Sequence, residues 1–178
     1  MGEIIVALAR AMWQICTLRR GPQDLPASSM LMVLMLLLNA VASATLETIE
    51  MPAASAVMAA VIDAVVVVIL IRVLLQATGR HNRFLQTVTA IAGTGLVVSF
   101  FALPVVAWLA ASVEQRQEIG IPMLLWLAVF GWNLLVIAHV LRHAIDSNLM
   151  VGFVLAVAFI FIDIQLINHL VPTANPSL

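Results

Sequence analysis

Residues 53–75 read AASAVMAAVIDAVVVVILIRVLL, and only Asp63 and Arg72 carry charge along that run. As a helix rising about 1.5 Å per residue it is roughly 34 Å long, enough to cross the hydrocarbon core of a bilayer. It is apolar on nearly every face, and a chain of 178 residues has no interior large enough to enclose such a helix. Its solvent must therefore be lipid.

Four more segments of the same kind surround it: 29–46 before, and 84–111, 121–141 and 149–171 after. The polar joints between them, 47–52, 76–83, 112–120 and 142–148, are short enough to make sequential helices antiparallel neighbours. Composition agrees. The chain is 63% hydrophobic and 10% charged, where a soluble domain carries about a quarter charged residues. The expected fold is an all-α membrane protein, a five-helix transmembrane bundle over 29–171 with a short outer tail, 172–178. The third span contains Pro104 and is expected to kink there.

Residues 1–20 precede the bundle and have a different pattern. Glu3, Arg10, Gln14 and Thr17 share one helical face, while Ile5, Leu8, Met12 and Ile15 share the other, with Trp13 at the boundary. This is an amphipathic interfacial helix, expected in the headgroup plane with Arg10, Trp13, Arg19 and Arg20 as lipid contacts; packing on the bundle is the alternative. The linker 21–28 then turns the chain into the first span. Gly21 is the expected left-handed stop, Pro22 prevents continuation, and Asp24 is placed to cap the next helix with Pro26 in its first turn.

All eight basic residues are arginine. With five spans, Arg10, Arg19, Arg20, Arg72, Arg80, Arg83 and Arg142 fall on one side and Arg116 alone on the other. The positive-inside rule then predicts a cytoplasmic N-terminus and an outer C-terminus; a bacterial inner membrane is the expected location. A net charge of −1 argues against a nucleic-acid partner. The lone Cys16 permits no intramolecular disulfide and reads as a small hydrophobe.

Ionisable and amide side chains inside spans need a reason, since an aspartate near the bilayer centre costs about 2.5–3.5 kcal/mol on insertion scales. Asp63 shares a face of the second span with Ala56, Ala59, Ala60 and Ala64. Asp163 shares a face of the fifth with Gly152, Ala156 and Phe159. Small residues let helices approach closely in lipid, so both aspartates are expected at helix contacts. They either lock helices together or form a proton or cation site. Asn39 and Asn133 are expected to bond between helices. The run Ala92-Gly93-Thr94-Gly95 with Ser99 reads as a packing patch. His139 and His143 have metal-ligand spacing but too few companions for a metal site, and read as interfacial. Gln165, Asn168 and His169 read as a wet helix end.

The layout resembles the Yip family of small membrane proteins over roughly 26–171. The local features that carry the resemblance are Trp132-Asn133, His139, Arg142-His143 and Asn148, followed by a span bearing glycine and alanine. The long N-terminal region of eukaryotic members is reduced here to the amphipathic helix. The resemblance implies a non-enzymatic integral membrane protein that organises partners or lipid. The leading expectation is thus a scaffold or accessory subunit, contacting membrane lipids and acting as a homo-oligomer or within a larger complex. It uses no cofactor and is not an enzyme. The alternative is a small proton- or ion-coupled transporter component working through the intramembrane carboxylates.

Overall fold

The computed structural model describes residues 2–171, so the tail 172–178 lies outside the described residues. Six helices follow one another: α1 (Gly2–Cys16), α2 (Ser29–Glu47), α3 (Ala53–Ala77), α4 (Phe84–Glu114), α5 (Gly120–Ala144) and α6 (Leu149–Leu170). No strand occurs among the described residues. The last five helices are each long and apolar enough to cross a membrane, and their ends fall within a few residues of those read from hydropathy. α4 continues through Pro104 to Glu114 as one helix.

The core is thin, as it is when lipid covers the outside. Val33, Leu37 and Val41 on α2, Val61, Val65 and Ile69 on α3, and Val154 and Phe161 on α6 are all exposed. Inward faces are built from small residues. Ala56, Ala59 and Ala60 of α3 and Gly152 and Ala156 of α6 are buried, as their stripes predict. A Cβ on Gly152 would collide with the Ala138 carbonyl oxygen and lie 3.1 Å from the Arg142 amide nitrogen. The α5–α6 contact is therefore as close as two backbones allow. In the patch on α4, Gly93 faces Met12 of α1 and Gly95 faces Asn39 of α2, so packing is its role.

Four helices end in the same way. Leu18, Gly79, Arg116 and Asp146 take positive φ two residues beyond α1, α3, α4 and α5. The next amide in each case bonds back five residues: Arg19 to Gln14, Arg80 to Leu75, Gln117 to Ser112 and Ser147 to Arg142. This is the closure that satisfies the last free carbonyls of a helix. It corrects the reading of the first corner. Leu18, not Gly21, takes the left-handed turn. Asp24 caps no spanning helix; its Oδ2 accepts from the Gly21 amide at 3.2 Å within the short turn Pro22–Asp24. α2 is capped by Ser28, whose Oγ accepts from the Leu31 amide at 3.3 Å.

α1 packs on the flank of the bundle. Met12, Ile15 and Cys16 are buried, and their partners Gly93 and Thr94 lie roughly 14 Å along α4 at about 1.5 Å per residue. Its buried face is held against α4 and α5. Arg10, Arg19 and Arg20 stay exposed, as does Trp13, and remain available to lipid.

Candidate functional site: an acidic cavity within the bundle

Five helices contribute polar side chains to one cavity of about 270 Å³. α2 gives Asn39, Ser43 and Glu47, spaced by four along one face. α3 gives Asp63, α4 gives Ser99, α5 gives Asn133 and α6 gives Asp163. The aspartates come to one place because their small-residue stripes bring α3 and α6 into the same interior. Each lies short of its helix end on the same side of the bundle. Asp63 is about 15 Å from the start of α3 and Asp163 about 10 Å from the end of α6, at about 1.5 Å per residue.

Both aspartates are half-buried and within electrostatic reach of each other, and Glu47 is within reach of Asp63. Among the described residues, no arginine or histidine lines the cavity. Asn39 Oδ1, Glu47 Oε2 and Asp163 Oδ1 are buried oxygens without a hydrogen-bond partner among the described residues. Three carboxylates and no cation is an unbalanced set: in a low-dielectric interior the negative charge must be met by protons or by a cation from solution.

The sequence pointed to Asp63, Asp163, Asn39 and Asn133, and all four line this cavity. Glu47 was missed, because it terminates a span and reads as part of the polar joint. The four-residue spacing of Asn39, Ser43 and Glu47 is the signal that would have found it.

His139 does not reach for water, while His143 beside it is half-buried. His139 is buried, and its Nε2 donates to the Arg20 carbonyl at 2.9 Å. The two imidazoles meet edge to face at 4.6 Å. Among the described residues no group of three or more His, Cys, Asp or Glu is placed to hold a metal ion. Trp132, on the same face of α5, donates from Nε1 to the Cys16 carbonyl at 2.9 Å. Gln86 of α4 donates to the carbonyls of Gln23 and Leu25 at 3.1 and 2.7 Å. These three side chains therefore fasten α1 and the corner that follows it. Trp13 adds ring contacts to Phe101 and Trp132 at 6.0 and 6.3 Å. Gln165, Asn168 and His169 are exposed at the end of α6.

No family model, no curated protein and no solved structure matches this chain.

Proposed function

We propose that the protein is a small proton- or cation-coupled transport component of the bacterial inner membrane. Its N-terminus and arginine-rich joints face the cytoplasm, and Glu47, Asp63 and Asp163 form its coupling site. One observation carries this reading: three carboxylates from three helices share a cavity that, among the described residues, no basic side chain lines. A set of acids kept only to lock helices would be expected to pair with the amides beside them. Instead, oxygens of Asn39, Glu47 and Asp163 are buried and unpartnered among the described residues. The scaffold reading gains no comparable support, because the apolar residues exposed on α2 are those that lipid alone would select.

Ion binding inside a membrane moves charge even when no substrate crosses. Protein reconstituted on a solid-supported membrane is therefore expected to give a transient current on a pH step or a sodium step. Asp63→Asn and Asp163→Asn should each reduce it about tenfold or more while helical content is retained, since each removes an ionisable group from bilayer depth. Glu47→Gln, at the helix end, should reduce it less. Absence of current from the wild type on both steps, or full current from both aspartate variants, would overturn the reading.

A further inference from the structure

A second cavity, of about 300 Å³, adjoins the first and shares Asp63, Asn133 and Asp163 with it. The rest of its lining is apolar, including Val66, Leu70, Phe130, Phe159 and Ile164. Coupling to a proton or an inorganic ion needs no such space. Its volume falls at the low end of small-molecule sites, which are typically about 300–1,000 Å³ and mostly apolar with a few polar groups that fix orientation. Phe130 and Ile164 are also among the exposed apolar side chains of the spans, where lipid is the expected solvent. An occupant dissolved in the bilayer can reach it without crossing the polar cavity. The polar wall it would meet consists of two carboxylates and an amide, and Asp163 Oδ1 has no hydrogen-bond partner among the described residues.

We propose that this second cavity binds a lipophilic organic cation of the arylalkylammonium class, its charge against Asp63 and Asp163 and its apolar body against Val66, Leu70 and Phe159. A neutral apolar molecule would leave the carboxylates uncompensated, and a bare metal ion would leave the apolar walls unused. Aromatic rings beside an acid favour an alkylated ammonium over both. This inference rests on the transport reading, for it names the substrate class of the same carboxylates.

The test uses full-length protein in lipid nanodiscs and equilibrium dialysis, with protein-free nanodiscs subtracted. The probe is benzyltrimethylammonium, and its neutral carbon isostere, neopentylbenzene, is the control. Saturable uptake of the cation is expected, at least about tenfold tighter than uptake of the isostere. Asp63→Asn, and Leu70→Trp which fills the apolar space, should each weaken it at least about tenfold. Asp63→Glu, which keeps the charge, should retain it and serves as the check on folding. If the wild type gives the ion-step current but takes up no cation, the inference fails and the transport reading stands. If it gives neither, both fail. Equal uptake of the isostere would make the cavity a site for neutral apolar molecules and overturn the inference.

Discussion

At the scale of single residues, two side chains show how placement decides chemistry. Cys16 is buried, with Sγ 3.9 Å from the Thr94 carbonyl, and burial pushes its thiol from 9.0 up to about 12. The thiolate is the reactive form, so Cys16 should resist maleimide in the folded protein at pH 8–9, while a Trp13→Cys variant, at an exposed site, labels readily. The sign for stability follows from the same shift. Below about pH 9 the thiol is neutral in both states and costs nothing; between about 9 and 12 it ionises only when unfolded, so folding weakens as pH rises. A steeper alkaline loss of stability in wild type than in Cys16→Ala is the expected outcome of a denaturation series. Gly152 is the second case. Its missing Cβ admits the Ala138 carbonyl, so Gly152→Ala must push α5 and α6 apart at about 1–3 kcal/mol. Thermal unfolding in detergent should show a lowered midpoint, and an unchanged one would mean that the helices can separate freely.

At the scale of elements, hydropathy made the five spans legible, because helices this long and apolar have one stable solution in lipid. The first corner was less legible, and for a definite reason. The carbonyls of Cys16 and Arg20 are held by Trp132 and His139, which lie far along the chain, and no local pattern in 1–28 announces them. Those are also two of the residues that carried the Yip-like pattern, and in this chain they fasten α1. Removing a donor from a buried carbonyl costs about 1–3 kcal/mol. Trp132→Phe combined with His139→Phe should therefore loosen α1 selectively. Hydrogen exchange should rise across residues 6–20 and stay level in α3 and α6. Uniform exchange across all six helices would show that α1 is held by apolar packing of Met12 and Ile15 alone. The left-handed closures were equally hidden. Leu18, Arg116 and Asp146 do what glycine usually does, and only the i−5 amide bonds reveal it. At Asp146 the turn also aims the carboxylate at Arg80 and Arg83, while Arg83 reaches the His143 carbonyl at 2.8 Å. The α3–α4 joint is thereby tied to the α5–α6 joint.

At the scale of the whole molecule, charge is sorted towards the two ends of the bundle. The acidic cavity lies towards the half where α2 ends and α6 ends, and Glu47 belongs to that half. Arg80, Arg83 and Arg142 gather at the other, where Asp146 is the acid that meets them. Such sorting suits a molecule that offers carboxylates to one compartment and guanidinium groups to anionic lipid and the cytoplasm. It also fixes what an orientation experiment must find. Asn82→Cys and Gln117→Cys each introduce one exposed thiol in a polar joint, on opposite sides of the bundle, and buried Cys16 contributes no background. A membrane-impermeant maleimide added to intact cells should label Gln117→Cys and spare Asn82→Cys; inverted membrane vesicles should reverse the pattern. The reverse result in both preparations would place the arginines outside and turn the acidic cavity toward the cytoplasm. The coupling ion would then enter from the cytoplasmic side, and the direction proposed for any flux would be reversed even if every carboxylate kept its role.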